Sequence, residues 1–119
     1  MTWVIDASNV IGSRPDGWWR DRPAAARRLV ADLDRFAAAT GEPVVVVLDG
    51  GAPPAAERAE VVVASRPGRD AADDEIVTLL EDRGAEGVRV VTSDGELARR
   101  VRALGAEVEG AGAFRKRLG

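Results

Sequence analysis

The sequence predicts an α/β fold built on a central, mostly parallel sheet of five strands. Three observations predict it. Continuous apolar runs, above all Trp3 to Ile5 and Val44 to Leu48, have the length and β-branched character of strands buried on both faces. Between such runs lie segments whose apolar residues recur at helical spacing, and strands alternating with helices form a parallel sheet through crossover connections. Three of the apolar runs also end in turns that carry an acid, at Asp6, Asp49 and, after Thr92-Ser93, Asp94. The carboxyl ends of strands are where open α/β sheets place their ligands.

Taken in order, the first strand ends in Asp6-Ala7-Ser8-Asn9. From Val10 to Arg22 the chain reads as a loop, with Gly12, Pro15 and Gly17 as breakers and no helix starting directly after Asp6. Pro23 can open a helix; Leu29, Val30, Leu33 and Phe36 form its apolar stripe and Gly41 closes it. Val44 to Leu48 is the second strand, Pro53 to Arg58 reads as a helical turn, and Glu60 to Ala64 is a shorter third strand near an edge. Asp70 begins a helix with Ile76, Val77 and Leu80 inward and Gly84 beyond its end. Val88 to Val91 is the fourth strand. Glu96 to Leu104 is the next helix, and Ser93 with Glu96 reads as its capping box. Ala106 to Val108 is a short fifth strand, followed by a basic helical turn from Phe114 to Leu118. The first strand is expected at the centre, with a switch point beside it. The whole of 1–119 reads as a single domain.

Composition excludes several chemistries. The chain has no cysteine and no histidine. Disulfides, thiolate or imidazole metal sites and Ser-His-Asp triads are therefore absent. A metal must be held by oxygen, which favours Mg²⁺ or Mn²⁺. No stretch suits a membrane span or a signal segment, so the expected location is cytoplasmic. Net charge is −3, so nucleic-acid binding would need local cationic patches rather than bulk charge.

Asp6, Asp49 and Asp94 each end a strand, and carboxylates meeting at one edge repel unless cations or protons intervene. A divalent metal resolves that repulsion. Turn formation and helix capping are the competing readings, strongest for Asp94 and for Asp49 in its Asp-Gly-Gly turn. Asp73 precedes Ile76, Val77 and Leu80 on the same helix face, so it points inward from the helix start. Asp74 lies one position round, nearer solvent. Asn9 is placed to orient Asp6 or hold a water. Ser8, Thr92 and Ser93 offer hydroxyls at the same edge, with local capping as their simpler role. Trp18 and Trp19, flanked by Arg14 and Arg20, read either as a stacking platform with phosphate contacts or as packing residues. Arg69 beside the acidic helix start is a further phosphate-contact candidate.

The segments VIDASN at 4–9, VVVVLDG at 44–50, AADDEI at 71–76 and VVTSD at 90–94 together resemble NYN-type PIN-like domains, in order and separation, over almost the whole chain. The resemblance implies a three-layer α/β sandwich. It also implies a Mg²⁺- or Mn²⁺-dependent ribonuclease with Asp6, Asp73 and Asp94 as the acidic cluster and Asn9 beside it. Asp49 is the more variable fourth acid. The reading of the residues agrees, since metal-activated water needs no histidine. The expected substrate is single-stranded RNA, cut internally, with no membrane partner; self-association or a protein partner stays open. The alternative is a catalytically silent RNA-binding PIN-like module. A phosphoacceptor receiver domain is disfavoured, because the fifth strand is followed by Glu109-Gly110-Ala111 and the only lysine is Lys116.

Overall fold

The structure, a computed structural model, describes residues 1–68 and 70–119. Its strands are β1 (Thr2–Asp6), β2 (Val44–Leu48), β3 (Glu60–Val63), β4 (Val88–Val91) and β5 (Glu107–Glu109). Its helices are α1 (Ala7–Gly12), α2 (Arg22–Thr40), α3 (Ala71–Arg83), α4 (Gly95–Ala103) and α5 (Ala111–Leu118). The strand order is β3-β2-β1-β4-β5, and every pairing is parallel. The sheet expected to be mostly parallel is wholly so, with β1 at its centre.

Alternation along the strands builds the layers. Trp3, Ile5, Val44, Val46 and Leu48 face one side and pack with Val10 of α1, Leu29 and Leu33 of α2 and Phe114 of α5. Val4, Val45, Val47 and Val90 face the other side, against Ile76 and Leu80 of α3 and Leu97 and Val101 of α4. Both faces of the inner strands are covered, which is why β1 and β2 read as continuous apolar runs. Within the first layer Trp3, Phe36 and Phe114 sit ring to ring, with centroids 5.2 to 5.4 Å apart.

The ends of α2 follow its sequence signals. Asp21 accepts from the Ala24 amide at 3.0 Å, Pro23 sits in the first turn, and Gly41 closes the helix at a left-handed φ of 71°. Four local expectations need correction. A helix, α1, does start directly after Asp6, and Trp18–Arg20 forms a 3-10 turn inside the expected loop. Only Ala7 and Val10 of α1 are buried, too few positions to show a helical period. Pro53 to Arg58 forms no helical turn. Two adjacent prolines lack amide donors, and the amides of Glu57, Arg58 and Ala59 are bound instead by the Asp34 carboxylate at 2.9 to 3.0 Å. The capping box of Ser93 and Glu96 does not form. Asp94 is the cap and accepts from the Leu97 amide at 2.9 Å, while the Ser93 hydroxyl accepts from the Ala111 amide. Finally, α5 begins at Ala111 rather than Phe114, as Phe114 N donates to Gly110 O at 3.0 Å.

Candidate active site at the carboxyl edge of the sheet

Asp6 is the last residue of β1 and only 2% exposed. It occupies the N-cap position of α1, yet its carboxylate does not cap that helix. Its Oδ2 instead accepts from Asn9 Nδ2 at 2.7 Å and from the Thr92 hydroxyl at 2.8 Å. Asn9 Oδ1 accepts from the Ser93 amide at 3.1 Å, and Thr92 Oγ1 accepts from the Asp94 amide at 3.1 Å. One network thus ties the ends of β1 and β4 and the start of α4 together. Among the described residues no buried side-chain nitrogen or oxygen lacks a partner, so the network is fully satisfied.

Burial pushes the Asp6 carboxyl up from its ordinary range; the bonds from Thr92 and Asn9 oppose this, and the charge of Asp94 adds to the rise. Asp73, in the first turn of α3, is pushed up to about 6. Burial is the largest cause, followed by the charges of Asp6, Asp94 and Asp70, with Arg100 opposing. The charges of Asp6 and Asp94 thus reach Asp73, and that of Asp94 reaches Asp6, at one edge of the sheet. Asp94 arrives with Oδ1 already engaged as the α4 cap. Among the described residues, no group of three or more acidic side chains stands arranged around one metal position.

The remaining candidates fall around this edge. Asp74 is paired with Arg100 at 3.0 Å, a cation whose place on α4 opposite α3 the sequence did not reveal. Asp49 is exposed and lines a neighbouring groove with Ser8 and Trp18; none of the main contributions to the Asp6 and Asp73 shifts comes from it. Trp18 and Trp19 meet edge to face at 6.0 Å, Trp19 being 56% exposed. The Arg20 guanidinium lies over Trp19 and that of Arg22 over Trp18. Arg14 is held by Asp32 of α2 at 3.2 Å. Arg69 lies outside the described residues. Arg22, close in sequence to the tryptophan pair, and Arg27 also line the groove; nothing in the sequence marks Arg27.

The donor set fits a hard cation. All available ligands are oxygens, and the neighbouring carboxylate charges that add to the rise at Asp73 are what a cation offsets. Mg²⁺ commonly uses one or two carboxylates and keeps several waters, so a cage of three acids is not required.

A three-layer fold with an all-parallel sheet in the order β3-β2-β1-β4-β5 and acids at its carboxyl edge is consistent with a PIN-like α/β protein. Residues 3–119 match the model of the YacP-like NYN domain, and the chain belongs to that family. Its structure is similar to that of a mutant of Rae1 (YacP) from Bacillus subtilis, with a TM-score of 0.84 and 22% identity over 98% of this chain and 74% of that one. A second crystal structure of Rae1 (YacP) from Bacillus subtilis gives a TM-score of 0.81 and 22% identity over 99% and 73%. No curated protein matches the sequence. No helix among the described residues is long and apolar enough to cross a membrane.

Proposed function

We propose that the protein is a Mg²⁺- or Mn²⁺-dependent endoribonuclease acting on single-stranded RNA in the cytoplasm. The observation that carries this reading is the hydrogen-bonded network that sets Asp6 and Asp94 at the adjoining ends of β1 and β4, close enough to Asp73 that their charges add to the rise that burial causes there. Membership of the NYN family supports a nuclease. A bound divalent cation would acidify a water and offset charge on the phosphate under attack. Asp6 would hold it, in an orientation set beforehand by Asn9 and Thr92. Asp94 would offer the carboxylate oxygen that does not cap α4, and Asp73 would complete the set from α3. Asp74, turned to Arg100, keeps a cation near the cluster without entering it. Trp18, Trp19 and Arg20 would bind the unpaired bases and the backbone of the RNA, as stacking on aromatic faces is available only to unpaired bases.

A second reading, the catalytically silent RNA-binding module, draws on the lack of a grouped set of three acids among the described residues. Incubation of single-stranded and duplex RNA with Mg²⁺ or Mn²⁺ separates the two. Internal cuts in the single strand that EDTA prevents support the nuclease. Salt-sensitive binding without cleavage supports the silent module.

A further inference from the structure

Beside the acidic edge lies a groove of about 640 Å³, within the range of ligand sites. Ser8, in the first turn after Asp6, forms part of its wall, so it opens next to the proposed reaction centre. Three features describe what would fill it. Trp18 and the Pro53-Pro54 wall suit a flat aromatic group. Arg22 and Arg27 reach the same groove and take part in none of the ion pairs among the described residues, which suits an anionic group attached to it. Arg22 rests over the Trp18 ring, its guanidinium carbon 5.5 Å from the ring centroid, so the stacking surface and the cation stand together.

The third feature selects among bases. Asp49 is the one carboxylate on the described wall, it is exposed, and it too is outside those ion pairs. An ionised carboxylate only accepts hydrogen bonds, through two oxygens. Guanine presents two adjacent donors, N1–H and the N2 amino group, in matching geometry. Adenine and cytosine present one amino group beside an acceptor nitrogen, and uracil presents one N–H between two carbonyl oxygens. We infer that the groove holds a guanine base of the RNA, stacked on Trp18 with its Watson–Crick edge on Asp49 and its phosphate toward Arg22 and Arg27. This rests on the proposed ribonuclease reading for its substrate class and adds a base preference near the cut.

The test uses the four 5′-mononucleotides in EDTA, titrated into the whole chain and followed by amide and indole N–H shifts. EDTA removes any dependence on metal or cleavage. The expected result is shifts at Ser8, Gly50, Gly51 and the Trp18 indole, with GMP favoured about tenfold or more over AMP, CMP and UMP. Asp49→Asn, which exchanges one acceptor for a donor, should erase the preference, and Trp18→Leu should weaken all four. No binding of GMP, equal binding of the four, or a preference unchanged in Asp49→Asn would overturn the inference, even if the protein cleaves RNA. A guanine preference in a protein that cleaves nothing would uphold the groove while removing the nuclease reading.

Discussion

Thr92 donates its hydroxyl hydrogen to Asp6 Oδ2 at 2.8 Å across 86 positions of sequence. Both residues are almost fully buried, at the ends of two paired central strands. The same oxygen of Thr92 accepts from the Asp94 amide, so one hydroxyl fixes two of the three acids.

Replacing that hydroxyl with a methyl in Thr92→Val is nearly isosteric but leaves Asp6 short of one donor and the Asp94 amide without an acceptor. Hydrogen bonds to charged groups contribute about 1.5–3 kcal/mol, and a loss of stability in that range is expected from urea unfolding. If Asp6 carries the reaction, cleavage should also fall about 10–100-fold, as when a partner of a metal-holding group is removed. Unchanged stability would mean that the bond contributes little.

The raised acids set a pH dependence for the metal-free protein. Asp73, at about 6, stands above its ordinary value near 3.8. The folded state therefore holds the proton more tightly than the unfolded one between those values. Stability declines as pH rises through that window and levels off above about pH 6. Asp6 is shifted in the same direction and adds to the decline. In Asp73→Asn the decline should shrink and the stability at neutral pH should match or exceed wild type. Melting curves across the window, in EDTA, check this; an identical pH profile in the variant contradicts it.

Divalent ions should reverse that penalty. Binding to the folded state alone stabilises by about 2.7 kcal/mol at a hundred times Kd. Adding Mn²⁺ should raise Tm in wild type near neutral pH and much less in Asp6→Asn or Asp73→Asn. An equal rise in all three would place the ion elsewhere.

Asp34 gives a prediction away from the edge. Burial raises its carboxyl, but the amides of Ala59, Glu57 and Arg58 outweigh this and hold it below the ordinary range. Its contribution is present above the ordinary value and lost as pH falls through the lowered one. Asp34→Ala should cost about 1–3 kcal/mol and increase amide exchange at 57–59. Unaltered exchange there would show that the loop holds without it.

The inner strands were legible because they are buried on both faces: Val44–Leu48 and Val88–Val91 appear in the structure as the apolar runs drew them. Asp6, Asp49 and Asp94 were legible because each follows such a run, and Asp73 because it shares a helix face with Ile76, Val77 and Leu80. What could not be read was long-range pairing. The Asp34 carboxylate suppresses a helical turn from 23 to 25 positions away. Ser93 is drawn from capping α4 to the start of α5 by Ala111. Thr92 reads as a local cap, and half of its role is that, but the other half lies on Asp6. Asn9 could be foreseen as an orienting partner because it is three residues from Asp6, within reach of local reasoning.

The most direct measurement of the central claim pairs activity with folding in Asp6→Asn. The substitution keeps the shape and removes one charge from a repelling set. On single-stranded RNA with Mn²⁺, cleavage should fall at least as far as the roughly 10–100-fold expected for removing a ligand's partner, while Tm in EDTA holds or rises. Cleavage by Asp6→Asn at the wild-type rate, with an unchanged Tm, would show that the acidic edge is not where RNA is cut.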